Sequence, residues 1–437
     1  MQKVLQHIQL FYEGSWQERD IVMQGERIAS IEAAGTAEGD VIEDGRGKTA
    51  VPGLIDVHVH INEPGRTDWE GMTTGTRALA AGGVTTLFDM PLNSKPPTAT
   101  ASRVEEKRAI AAEKSLIRTH WWGALMPGHL ADLEAMHEAG VIGFKAFMSR
   151  AGTPDFEHAE DETLLYGMEK IAALGSRLAV HAESDMLIHW LTKRAAEAGK
   201  TSMHEYEQTR PKAAEVEAVR RILLYAEWTG CPVHICHVSC GDAVNVIAEA
   251  KARGVNVTAE TCAHYLYFTL DDAARIGPTA KCAPPLRDAA EREHLWQALQ
   301  NGVLDLVSSD HSPAPFSLKE GTVLESWGGI AGAQQTIDVL LTEGVHRRGL
   351  PLEEVISWVT SKPAACFDLD GGRLEPGGPA DITLLDLEEA WTLKEDDLFQ
   401  RHKETPYIGA SFQGRVSSVY CRGEQVYDLT FSHGGER

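Results

Sequence analysis

The chain of 437 residues has no apolar run near the ~18 residues that a membrane-spanning helix needs. It has no Cys-x-x-Cys pair. Its seven cysteines (Cys231, Cys236, Cys240, Cys262, Cys282, Cys366 and Cys421) are odd in number, and three crowd one short segment, which argues against a disulfide framework and for reduced thiols. Positive charge is scarce: 41 Lys and Arg stand against 64 Asp and Glu, a net charge of −23, so neither nucleic acid nor an anionic membrane is expected as the main partner. The opening MQKVLQHIQLFYEG lacks the apolar core and small-residue cleavage site of a secretion signal, so a cytoplasmic location is expected. No low-complexity tract interrupts a composition, 43% hydrophobic and 24% charged, that is ordinary for a globular chain.

What is present changes character along the chain. Residues 1–52 are short alternating stretches broken by glycines (VLQHIQLFYEG, DIVMQGERIASI, DVIEDGRGKTAV), the pattern of small antiparallel strands and turns. Residues 371–437 read the same way, through GRLEPGGPADITLLDL and RVSSVYCRGEQVYD. Between them, over 53–370, apolar runs alternate with helix-length amphipathic segments, the pattern of βα units on a parallel sheet. Eight such runs are readable: TAVPGLIDVHVH, GVTTLFDM, IRTHWWGAL, VIGFKAFM, RLAVHAE, PVHICHVS, VNVTAET and LDLVSSD. Eight units predict an α/β fold, a closed (β/α)8 TIM barrel, with both chain ends joining in one small β-sandwich domain.

Polar residues fall at revealing places on these runs. His58 and His60 end the first run two residues apart, on one face of a strand shared by Asp56. Lys145 interrupts the fourth run; His181 closes the fifth, His237 the sixth and Asp310 the eighth. The C-terminal strand ends of a TIM barrel form its active-site rim, so these side chains would converge on one mouth. Taken singly, a strand histidine is more often a core residue with a satisfied hydrogen bond than a ligand, and His234 and His264 fit that blander description. A buried lysine is costly unless paired or neutral. Taken together, the six point to metal binding.

Imidazoles with a carboxylate suit Zn2+, with Co2+, Mn2+ or Fe2+ as alternatives. Six ligands exceed what one tetrahedral catalytic zinc takes and suit two divalent ions per chain, which need a bridging anion. A neutral Lys145 amine could supply one by combining with CO2 to form a carbamate, N6-carboxylysine.

VPGLIDVHVH, GFKAFM, HAE, HVS and SSDHSP together resemble the cyclic amidohydrolases: dihydroorotases, hydantoinases and allantoinases. The resemblance spans essentially the whole chain. It implies that His58, His60 and Asp310 hold the more buried metal, His181 and His237 the more exposed one, and carboxylated Lys145 links them. It further implies hydrolytic opening of a ring amide with Asp310 as the proton carrier, His311 in support, and a homotetramer. A dihydroorotase is disfavoured, because three of that family's substrate contacts, among them the Arg that holds a substrate carboxylate, are replaced here by Asn62, Ala283 and Ala314. Two segments, HINEPGRTDWEG and DMPLNS, are similar to allantoinases, whose substrate is a neutral hydantoin ring with a ureido arm. Asn62, Asn93 and backbone groups near Cys282 and Gly329 are the expected substrate contacts, although Asn93 reads equally well as a turn residue. Arg66 reads as either a structural or a substrate-loop residue. Segment 149–161 reads as either a lid over the mouth or a solvated connection. The alternatives are a hydantoinase or dihydropyrimidinase with broader substrates and, from another class, a non-catalytic scaffold.

Overall fold

The computed structural model describes residues 1–430. Within them eight parallel strands form a barrel: β1 (Leu54–Val59), β2 (Val84–Asp89), β3 (Arg118–Ala124), β4 (Gly143–Phe147), β5 (Leu178–His181), β6 (Val233–Ile235), β7 (Val257–Cys262) and β8 (Leu306–Ser308). Each pairs in parallel with the next, and the ring closes just past β8, where Val59 bridges His311. Most of these strand residues are buried, because helices cover the outside and side chains fill the inside, which is why the runs read as nearly unbroken apolar stretches.

The chain ends meet in a second sheet. Thr49–Pro52 pairs antiparallel with Ile382–Thr392 and parallel with Gln2–Tyr12, so one short strand stitches the two ends together. Leu5, Ile8, Leu10, Ile21, Ile382 and Leu384 close a core of its own. Not every pairing there is antiparallel, in contrast to the sequence expectation. Arg27–Ala33 lies on the far side of Ser15–Gln24, so the chain crosses back to the free edge of Gln2–Tyr12 and enters as the parallel strand Val41–Asp44. The run TAVPGLIDVHVH is correspondingly split: Thr49–Pro52 serves the small sheet and Leu54–Val59 the barrel. Gly53 sits at the join, where a Cβ would lie 2.2 Å from Thr85 Oγ1.

Candidate metal centre

The side chains singled out on the apolar runs meet at the C-terminal mouth of the barrel. His58 lies within β1 and His60 just beyond it; His237 and Asp310 follow β6 and β8 by two residues. His58 Nε2 and His60 Nε2 lie 3.2 and 3.3 Å from Asp310 Oδ1. His181 Nδ1 is 3.0 Å from His237 Nε2. The His58 and His237 rings, 5.3 Å apart, join the two groups. His237 and Asp310 hold φ of 40° and 44°, uncommon for residues with a Cβ and a form of strain found at functional sites.

Lys145 stands buried among them on β4. Its Nζ lies 2.7 Å from Cys236 Sγ, and among the described residues no carboxylate lies within ion-pair distance of it. Burial pushes the Cys236 thiol up to about 12, so this neighbour offers no negative charge. A buried ammonium with a neutral thiol for company is poorly compensated.

The electrostatics favour ligand forms. Burial lowers the pKa of His58, His181 and, most strongly, His237, which keeps their imidazoles neutral. Burial opposes ionisation of Asp310, but His58 and His60 hold its carboxyl well below the usual range. His58, His60 and Asp310 present ligand atoms within 4.8 Å of one another, and His181 with His237 forms a second pair beside them. Neutral imidazoles, an ionised carboxylate and a lysine lacking an anion make a donor set that fits two divalent cations. Two overlapping sets, His58 with Cys236 and Glu260 and Cys262 with His264 and Asp310, also converge, but Glu260 is already engaged and burial holds the Cys262 thiol protonated.

A ring of carboxylates behind the histidines escaped the sequence reading. Glu260 accepts from His58 Nδ1 at 2.5 Å and lies 3.2 Å from His234 Nε2. Glu183 lies 2.8 Å from His181 Nε2 and is itself paired with Arg210; burial opposes its ionisation, yet Arg210 and His181 hold its carboxyl at about 2. Asp89 accepts from Ile61 N at 2.8 Å and from Lys107 Nζ at 2.6 Å, fixing the turn after His60. Such partners set which ring nitrogen faces a metal. The signal was there: Glu260 interrupts VTAETC as Lys145 interrupts its own run, and Glu183 follows His181 by two residues. Asp56 is not part of the ligand cluster; it accepts from the backbone of His58 and Ser309, and burial raises its pKa to about 6. His311 Nδ1 accepts from Gly332 and Ala333 N–H groups. His234 is taken up by Thr258 and Glu260.

The histidines and Asp310 floor a cavity of about 340 Å3. Asn93 and Gly329 line it, as does Ala283, whereas Asn62 and Cys282 are not among its lining residues. Asn62 Nδ2 donates to Pro313 O, and Cys282 O accepts from Tyr206 Oη. Gly329 has φ +155°, and a Cβ there would lie 2.5 Å from Ser312 O. The facing wall is the 318–329 loop, gripped by two buried lysines. Lys281 Nζ donates to Ser326 O at 2.5 Å; Lys319 Nζ donates to Gly329 O at 2.6 Å and to Trp327 O at 3.0 Å. Burial, with Arg210 and Lys319 nearby, holds Lys281 down at about 7, and burial holds Lys319 at about 8.

A closed α/β barrel carrying this donor set at its mouth is the framework of a metal-dependent hydrolase. Residues 49–426 match the model of the amidohydrolase family, and the chain belongs to that family, which is metal-dependent. It is 44% identical to the allantoinase of Solibacter usitatus, over 95% of this chain and 96% of that one, and 47% identical to the allantoinase of Deinococcus radiodurans, over 88% and 86%. Among solved structures it is similar to the L-hydantoinase (dihydropyrimidinase) of Arthrobacter aurescens, with a TM-score of 0.94 and 32% identity, covering 98% of this chain and 96% of that one. It also resembles the dihydropyrimidinase of Brevibacillus agri, with a TM-score of 0.89 and 29% identity over 98% and 95%.

Proposed function

We propose that this chain is an allantoinase, a metal-dependent hydrolase that opens the hydantoin ring amide of allantoin to give allantoate, a step of purine degradation. The observation that carries the reading is the convergence of His58, His60, His181, His237 and Asp310 at one cavity, with Lys145 buried beside them, in a chain 44–47% identical to allantoinases over most of its length. His58, His60 and Asp310 would hold one divalent ion and His181 and His237 a second, with Zn2+ the best match to these ligands. The Lys145 ammonium gives up one proton to become the free amine, which then forms an N–C bond with CO2 and loses a second proton, so that an uncompensated cation becomes a carbamate anion able to serve both ions. Bound cations would polarise a ring carbonyl and lower the pKa of a water at neutral pH.

The chain's own groups do the rest. The side chain of Asp310 is 12% exposed and faces the cavity, ionised and ready to accept a proton from the attacking water and return it to the departing ring nitrogen. Asn93 and the backbone at Ala283 and Gly329 offer uncharged hydrogen-bonding groups to an uncharged ring and arm. Asn62 contributes by holding the Pro313 backbone. A hydantoinase is the second reading, favoured by the A. aurescens likeness.

The reading extends to a homotetramer in the cytoplasm. Met186 and Trp190 on helix Asp185–Glu197, with Leu224 and Trp228 on helix Lys212–Thr229, are large apolar side chains left exposed, which supports burial between subunits. The test is turnover by protein reconstituted with Zn2+, Co2+ or Mn2+ plus bicarbonate, on allantoin, hydantoin, dihydrouracil and dihydroorotate. Allantoin opened in preference, with loss on chelation and about two metals per chain, is the expected result. Hydantoin or dihydrouracil as the better substrate overturns the substrate, and no turnover with any metal overturns the enzyme.

A further inference from the structure

Arg66 sits where three loops of the cavity mouth meet. Its guanidinium forks onto Asp155, with Nη2 2.7 Å from Oδ1 and Nη1 3.0 Å from Oδ2, and the same Nη1 donates to Asn93 O at 2.8 Å. Both partners of the ion pair are mostly buried, at 14% and 19% side-chain exposure, so the fork is shielded from the screening that weakens surface pairs. The guanidinium also lies 5.3 Å from the Trp69 ring centre, and Trp69 meets Trp327 of the 318–329 wall edge-on at 4.9 Å. Gly65, at φ +88°, lets this loop lie on the next: a Cβ there would come 2.0 Å from Lys95 O.

The segment that Asp155 belongs to is anchored independently at its inner end. Phe156 packs edge-on against Phe147 at 5.6 Å, and Phe147 stacks on His181 at 4.5 Å. Ala151 and Gly152 of this segment line the cavity. Asn93, held at φ 71°, lines it too, and its buried Oδ1 has no hydrogen-bond partner among the described residues. An unsatisfied acceptor costs free energy unless something arriving in the cavity supplies a donor.

We propose that Arg66 is a positioning residue for substrate specificity: by tying Asp155 to the Asn93 backbone it holds segment 149–161 across the mouth and aims the Asn93 Oδ1 at a urea N–H of the substrate's exocyclic arm. This rests on the allantoinase reading for the identity of the arm. The latch itself is a property of the loops and stands apart from it. Arg66 touches no reacting atom, so its loss weakens recognition of the arm and leaves ring opening comparatively intact.

The experiment compares metal-reconstituted full-length protein with Arg66→Gln, Arg66→Lys, Asp155→Asn and the exchange Arg66→Asp with Asp155→Arg. Amide exchange over 149–161 is read beside steady-state kinetics on allantoin and on unsubstituted hydantoin. For Arg66→Gln we expect faster exchange confined to 149–161 and the 62–71 loop. KM for allantoin should rise about tenfold, with hydantoin KM and both kcat values within about twofold. Arg66→Lys should fall between, and the exchange pair should recover part of the protection. Unchanged exchange, or equal losses on both substrates with a lowered Tm, overturns the proposal. If Arg66→Gln does not fold, Asp155→Asn decides on the same readouts. Should wild-type protein fail to open allantoin, the functional reading falls, while the exchange comparison still judges the latch.

Discussion

On one side of the cavity, four imidazoles and Asp310 stand on or just past the ends of barrel strands, with Lys145 buried beside them and with Glu260 and Glu183 backing His58 and His181. On the other side, the wall is the backbone of the 318–329 loop, with the 62–71 and 149–161 loops beside it, held by Arg66, Lys281 and Lys319. The first side gains precision from strands fixed by the whole barrel. The second borrows its shape from a few charged side chains that reach across from other elements. The proposed chemistry therefore sits on the rigid side and the proposed selectivity on the side that a few contacts can alter.

The largest expected effect removes the rigid side's chemistry. His58→Ala and Lys145→Ala should each lower kcat by about a thousandfold or more, since the reacting groups' share of the total acceleration is lost. Metal analysis should show fewer ions per chain, with unchanged far-ultraviolet circular dichroism. Full activity in either variant would break the assignment of that side.

A smaller effect tests whether the carboxylates behind the ligands matter as positioning groups. Glu260→Gln and Glu183→Gln should weaken metal affinity by about 10- to 100-fold, measured by chelator competition. Affinity equal to wild type would mean that the histidines are oriented by packing alone.

On the loop side, Lys281 and Lys319 should reveal themselves through pH. Both are held below their ordinary value of 10.5, Lys281 at about 7 and Lys319 at about 8, so above those values the unfolded chain binds more protons than the folded one. Stability contributed by this pair should therefore rise as pH climbs from about 7 toward 10.5. Lys281→Met with Lys319→Met should remove that rise, seen as a flatter dependence of Tm on pH relative to wild type. An identical pH dependence in both proteins would show that the ammoniums carry no strain.

The smallest effect concerns the contact between loops. Trp69→Leu should cost about 1 kcal/mol through the lost edge-on contact with Trp327, read as a modest fall in Tm with metal content unchanged. A loss of metal would mean that the two sides are coupled more tightly than their separate supports imply.

The two sides also differ in how far they can be read from sequence. The six candidate ligands were legible because each is a polar residue on an otherwise apolar run, and a buried polar group must have a reason. The eight runs themselves gave the barrel, since parallel strands covered on both faces leave a continuous apolar pattern. Glu183 and Glu260 carried the same kind of signal and went unread. Asp155, Lys281 and Lys319 carried none, because charged residues in loops are ordinarily solvated, and for Arg66 the sequence left a structural and a substrate-loop role equally open. Their burial comes from partners 89 residues away, for Arg66 with Asp155, and 45 away, for Lys281 with Ser326.

The sequence by itself determined the barrel, the pairing of the chain ends into one small domain and the residue types at the mouth, because strand periodicity and burial act locally along each run. Only the tertiary structure decided which nitrogens of His58 and His181 face the carboxylates of Glu260 and Glu183, and that Asn93 and Gly329 rather than Asn62 and Cys282 border the cavity. Those outcomes depend on distances between loops brought together by barrel closure, and neither periodicity nor composition along the chain encodes such distances.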